Sequence, residues 1–446
     1  MVTSRQRVLA ALNHEESDRI PIDLGSHGSS TIAALAYTKL RQHLGIEGGL
    51  PKMYNTWAQQ LDVEDAVLDR LGADVVTLHR RISSLSIPND REWKEWSLID
   101  GSTCLVPVDF NPVKNDQGDW EWYENGNMIA RMPGEGTHGF TLFWAPMEGE
   151  PTKEKIDAVL ASENNNFISR IKTSDEEVDY VGKEAKQLYE SSDRAILYAF
   201  AGTVLENAQG IFGWDEFFVR CVTDPDLVHY FLEGLTELHL DALKRTLVAA
   251  GDYIQVIQFG DDLGMNAGPL LDPELYRSVL LPYHKKLFMY VRENHPNVHV
   301  MLHCDGAVRV LFPDLIDAGL QIFNPLQTDC FEMDPASIKR EFGKELTFWG
   351  GGADTHGIMP KGTISQLRED VRRRVQILSP GGGFVFNQIH NILPEIPPET
   401  VLAMFDAAQE FGTYPIQTEA SLEEMEKKYA NYWTEPLKAI RDEKFE

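Results

Sequence analysis

Eight short runs rich in β-branched or aromatic residues, separated by helix-length amphipathic segments, most narrow what this chain can fold into. They are Ile20 to Leu24, Ala73 to Leu78, Ala195 to Phe200, Tyr253 to Phe259, Val298 to Leu302, Gln321 to Pro325, Leu346 to Gly350 and Gly383 to Gln388. Strands that alternate with helices pair in parallel, because a crossover must carry the chain back to the edge where the next strand starts. Eight such units close into a (β/α)₈ TIM barrel, whereas five to seven favour an open doubly wound sheet. The expectation is an α/β fold of the barrel type, with residues 1–446 forming one domain. The segment from about Arg81 to Glu150 breaks the rhythm with Trp93, Trp96, Trp120, Trp122 and Trp144 and the turn pairs Gln117-Gly118 and Asn125-Gly126. It reads as an antiparallel β-rich insertion after the second strand. Over the barrel mouth its tryptophans either shape a substrate cavity or pack on one another.

Charge excludes several classes of partner. With 69 acidic against 41 basic residues and a formal net charge of −28, the chain lacks the clustered cations that track phosphates, so nucleic acid is not an expected partner. No apolar stretch approaches the roughly 20 residues of a membrane span, and no secretory apolar region follows Met1-Val2-Thr3-Ser4-Arg5. Cys104, Cys221, Cys304 and Cys330 form no CxxC pair and read as free thiols of a reducing, cytoplasmic compartment.

The tips of the strands carry the chemistry. Val298-His299-Val300-Met301-Leu302-His303-Cys304-Asp305-Gly306 turns polar only at its C-terminal end, the end that a parallel barrel presents at its mouth. Side chains two apart share a face, so His303 and Asp305 point together and Cys304 points elsewhere. The last run, Gly383 to Gln388, continues to His390, which stands at the same mouth as a third ligand. Two histidines and one carboxylate suit a catalytic zinc with an open position or, in a facial arrangement, non-haem iron. Gln258-Phe259-Gly260-Asp261-Asp262 is a second polar tip. Asp262 is the choice for the cavity, as a fourth ligand, an orienter of His303 or a proton donor, with a structural salt bridge as the alternative. Gln258, Asp261, Trp349 and His27 are candidate substrate contacts, and His79 and His138 are lone histidines near the mouth. The absence of a G-x-S-x-G elbow, a P-loop and a strand-borne G-x-G-x-x-G argues against serine hydrolysis and nucleotide chemistry.

Taken as a set, further motifs resemble the uroporphyrinogen decarboxylase superfamily, which contains the decarboxylase and many corrinoid-dependent methyltransferases. They are Arg5 to Glu15, Asp18-Arg19-Ile20-Pro21, Asp261 to Gly264, Leu281 to Lys286, Phe323 to Gln327, Trp349 to Thr355 and Pro394 to Glu399. The resemblance covers nearly the whole chain and implies a TIM barrel. In the superfamily's zinc methyltransferases the ligand strand reads His-x-Cys-Gly, with a further Cys after the last strand. Here Asp305 and His390 stand at the two thiolate positions. The resemblance therefore implies Zn²⁺ on His303, Asp305 and His390, with fewer anionic sulfurs and a more Lewis-acidic metal. It implies a methyltransferase of the O-demethylase type, which removes a methyl group from a small methoxylated donor, with an aryl methyl ether as leading candidate. The acceptor is Co(I) of a corrinoid supplied by a partner protein, and a homodimer is the candidate assembly. Asp262 and Asn387 are the candidate catalytic residues, orienting the donor oxygen or a ligand. Asp354-Thr355-His356 matches part of a corrinoid-module signature, but Met359 stands where that signature needs glycine. The alternatives are a decarboxylase of the uroporphyrinogen type, a metal-dependent hydrolase and a barrel that binds a small ligand without turnover. The loop Ile22 to Gly28 holds no arginine to grip a polycarboxylate.

Overall fold

The computed structural model describes residues 2–134, 139–142, 145–147, 149–162, 168 and 171–434; His138 and Trp144 lie outside them. Seven parallel strands form one curled sheet in chain order: β1 (Val75–Leu78), β2 (Ala195–Ala201), β3 (Val256–Gly260), β4 (His299–His303), β5 (Ile322–Asn324), β6 (Thr347–Trp349) and β7 (Phe384–Val385). Val75, Leu197, Val256, Met301, Ile322, Trp349 and Val385, one or more from every strand, meet in a single buried cluster. Opposite edge strands can share a cluster only if the sheet wraps round an interior, so the layer identifies a barrel core. Val8 and Leu12 of the helix Ser4–Leu12 close that layer from one end. The helix starts there because Thr3 and Gln6 form a capping box.

The first expected strand, Ile20 to Leu24, is not a regular strand. Ile22 makes an isolated parallel bridge to Phe386, with Phe386 N–H donating to Pro21 O and Asp23 N–H to Phe386 O. On the other side Asp74 N–H donates to Ile22 O, and Ile22 N–H is taken by the Asp74 carboxylate at 2.9 Å. This segment thus joins β7 to the start of β1, but Pro21 offers no N–H and a side chain replaces a ladder bond, so no extended pairing develops.

The insertion after β1 is antiparallel. Trp93–Ser97 pairs with Thr103–Pro107, and a four-stranded sheet runs through Val113–Lys114, Trp120–Glu124, Asn127–Met132 and Thr141–Leu142. Its tryptophans pack on one another: Trp96 lies 5.1 Å from Phe110 and 5.2 Å from Trp120, and Trp122 stacks on Phe110 at 6.0 Å. The cavity wall receives Glu124, Ile129 and Leu142 from the insertion instead. All four cysteines are free and buried, and among the described residues no helix is long and apolar enough to cross a membrane.

Candidate functional site

Parity along the strands builds the site. Met301 belongs to the interior layer, so His303, two residues on, faces the same axis at the strand end; Ile322 and Asn324 do the same on β5, and the registers set His303 beside Asn324. Asp305 follows in the turn after β4. That turn is held by backbone against backbone: Gly306 has φ +94°, and a Cβ there would stand 2.8 Å from Gly264 Cα. Only glycine fits both demands. One ligand atom each from His303, Asp305 and His390 lies within 4.8 Å of the others, and His390 Nε2 is 3.5 Å from Asp305 Oδ2. Cys304 is turned away, its sulfur accepting from Leu263 N–H at 3.3 Å, and burial pushes its thiol well above the usual range.

The histidines are held from behind. Asn324 Nδ2 donates to Trp349 O at 2.7 Å, an atom that can only accept, so Asn324 Oδ1 faces His303 Nδ1 at 2.9 Å. Nδ1 therefore carries the proton and Nε2 keeps its lone pair for the site. Asn391 Oδ1 plays the same part for His390 Nδ1. This is how metal-binding imidazoles are oriented. The electrostatics suit a cation as well. Burial works against a charged His303, yet the Asp305 and Asp262 carboxylates hold its pKa above the ordinary value; burial takes His390 below it. Asp262 is itself raised, by burial and by Asp305.

The other residues singled out in the sequence divide. Asp262 accepts from Asp305 N–H at 2.9 Å, stands 3.9 Å from His303 Nε2 and lines a cavity of about 620 Å³. His27 lines that cavity, its ring 6.5 Å from that of His303, and burial drives its pKa well down. Asp261 does not face the cavity. Its buried carboxylate accepts from the N–H groups of Val204, Leu205 and Glu206 and pairs with His284 at 2.7 Å, fixing the start of the helix Leu205–Phe212. Trp349 is sealed in the barrel interior with its indole N–H on Asp23, and Gln258, of the same parity as Val256, sits in the interior one step below His303. Neither lines the cavity: both lie in the packed layer beneath the mouth, whereas Asp261 is turned to the start of the helix Leu205–Phe212. Asn387 is fully buried, its Oδ1 3.1 Å from where a Gly350 Cβ would stand and without a hydrogen-bond partner among the described residues. His79 stacks on Tyr54 and bonds Asp62, and His356 bonds Asp329.

Three residues that sequence reasoning missed enter here. Asn324 had a readable signal, a polar residue ending an apolar run. Glu206 had none, since only the β2 crossover brings it into the cavity; hemmed in by protein and facing Asp261 and Asp262, its carboxyl is pushed up to about 8. Asp23 lies beneath His27, accepting from Ser26 Oγ at 2.7 Å and Trp349 Nε1 at 2.9 Å, and burial pushes it up to about 6. Its folded-state value exceeds that of an exposed aspartate, so the stability linked to its proton is fully present below about pH 4 and is lost as pH rises through about 6. Asp23→Asn should lack this loss: its urea midpoint, relative to wild type, is expected to climb between those pH values and to stay level above them. Parallel pH profiles of the two proteins would refute the assignment.

Comparison with known proteins places this geometry among relatives. Uroporphyrinogen decarboxylase of Nostoc punctiforme is 27% identical over 193 residues, covering 43% of this chain and 49% of that protein. The enzyme of that name from Synechocystis sp. is 26% identical over 191 residues, covering 42% and 49%. The chain thus spans about half the length of these curated relatives. A methyltransferase from Methanosarcina mazei superposes with a TM-score of 0.57 at 16% identity, over 92% of this chain and 99% of that one, and so shares the fold. The family model of uroporphyrinogen decarboxylase (URO-D) matches residues 147–411. Since that match takes in more than half of the chain, six of the seven sheet strands and all of His303, Asp305 and His390, the chain belongs to the uroporphyrinogen decarboxylase family.

Proposed function

We propose that this protein is a methyltransferase that takes a methyl group from a methoxylated donor, with an aryl methyl ether as the leading candidate, and passes it to the Co(I) of a corrinoid carried by a separate protein. The observation that carries the reading is the group His303, Asp305 and His390, with both imidazole Nε2 atoms released toward the site by amide oxygens behind them. The donor set fits a divalent zinc ion: two neutral imidazoles and a carboxylate, with room for a fourth partner. Such an ion would supply Lewis-acid stabilisation of the oxygen from which the methyl group departs. The chain's own residues do the rest. Asp262 fixes the Asp305 backbone and borders the cavity, so it stands where a donor oxygen approaches the ligand group. Tyr54, Trp57, Phe200 and Trp214 supply an aromatic wall for a ring. The fold shared with the Methanosarcina mazei methyltransferase supports this reading. The names of the decarboxylase relatives favour a second one. Against it, the cavity carries four carboxyl groups and a single guanidinium, a poor receptor for a substrate rich in carboxylates.

Elemental analysis of protein purified without chelator or nickel is the first test, followed by methyl transfer from methoxylated aromatics to a reduced corrinoid protein. About one zinc per chain with turnover is expected; metal-free protein that takes up no added zinc would overturn the reading. Asn324→Ala should weaken zinc binding by about 10- to 100-fold, since the His303 tautomer is no longer enforced. Asn324→Asp still accepts from Nδ1 but sets an acceptor oxygen against Trp349 O, so it should recover only part of the affinity. Competition with a chromophoric chelator measures both, and equal affinities for Asn324→Ala and wild type would remove Asn324 from the site.

A further inference from the structure

We propose that the methyl donor is electrically neutral: a hydroxylated methoxyarene without a carboxylate. The inference rests on the methyl-transfer reading and adds the charge class of the substrate. Four carboxylates, Asp62, Glu124, Glu206 and Asp262, line the cavity against one cation, Arg80, whose Nε stands 3.5 Å from the buried Glu177. A divalent ion on the ligand group would be offset by Asp305 and Asp262, so the remaining wall stays acidic. The polar group that awaits a partner is neutral. Gln209 Nε2 is buried on the cavity wall, its residue 3% exposed, and has no hydrogen-bond partner among the described residues. Buried polar atoms of this kind are satisfied by a ligand's own polar groups. A phenolic hydroxyl or ether oxygen can accept from the Gln209 amide without bringing charge. The aromatic wall completes the match to a neutral ring. A ring carboxylate would instead face the like charges of Asp62 and Glu124 and lose its hydration.

The test compares dissociation constants at pH 7.5 and low salt for guaiacol against vanillate, which differ by one carboxylate, and for catechol against protocatechuate, the corresponding pair without a methoxy group. In each pair the neutral ring is expected to bind at least about tenfold more tightly, with the gap narrowing in high salt. Asp62→Asn should narrow it several-fold. Carboxylated rings that bind as tightly as their neutral partners would overturn the proposal, as would binding of none of the four. Tighter binding of catechol than of protocatechuate, with neither methoxy compound bound, would uphold the charge preference while removing the aryl methyl ether reading.

Discussion

His303→Ala is expected to empty the metal site and to abolish methyl transfer, while leaving the protein folded. His303 combines roles that no other residue in the group shares. It offers Nε2 to the ligand group, stands 3.9 Å from Asp262, and is the imidazole that Asn324 orients from the interior. Removing it leaves His390 and Asp305, a pair too few for a catalytic zinc. Zinc should fall from about one ion per chain to background, and turnover by at least about 10³-fold, the several kcal/mol that metal polarisation of a leaving oxygen contributes. The side chain lies at the half-buried mouth, where truncation leaves a space open to solvent, so the unfolding midpoint should move little. His303→Ala that retains stoichiometric zinc would transfer the site elsewhere, and a metal-free variant with full turnover would separate the metal from the reaction.

The largest stability effect is expected at Asp74, where the barrel closes. This fully buried carboxylate accepts from Arg7 Nη1 at 2.6 Å, Arg19 Nη1 at 2.6 Å, Ser4 Oγ at 2.7 Å and Ile22 N–H at 2.9 Å. It stands in for the strand bond that Ile22 would otherwise make toward β1. Asp74→Ala leaves an N–H without its acceptor and two guanidinium groups without their common counter-ion; breaking a buried pair in this way costs about 3–5 kcal/mol. Urea unfolding should show a correspondingly lower midpoint. Asp74→Asn keeps the volume and one acceptor oxygen, and should lose less. An alanine variant within about 1 kcal/mol of wild type would mean that the ring closes without this contact.

Both expectations rest on residues that differ in how readable they are. His303 and Asp305 follow from a strand that turns polar at its end and from a two-residue alternation, and His390 from a second strand with the same pattern; the structure brings all three together. Asp262 was readable to the same extent, as a polar tip bordering the mouth. Its neighbour Asp261 was not, because adjacency says only that two carboxylates diverge, and it is the incoming helix Leu205–Phe212 that claims one of them. Trp349 and Gln258 show the same limit. Each lies near a strand end, but whether a layer is the packed interior or the open mouth depends on the register of seven strands at once. The insertion was legible as hairpins from its turn pairs, whereas the choice of its tryptophans for Phe110 rather than for the cavity was a packing outcome.

What the sequence by itself determined is the alternation of strand and helix, the polar tips and the ligand types they carry, because period and residue chemistry are local properties. Tertiary structure alone decided that the ring closes through a bridged segment anchored on Asp74 in place of an eighth strand, that Asn324 sets the His303 tautomer, and that Glu206 enters the cavity. Each of these depends on contacts between residues dozens to hundreds of positions apart, whose geometry exists only once the sheet has curled and its crossovers have packed.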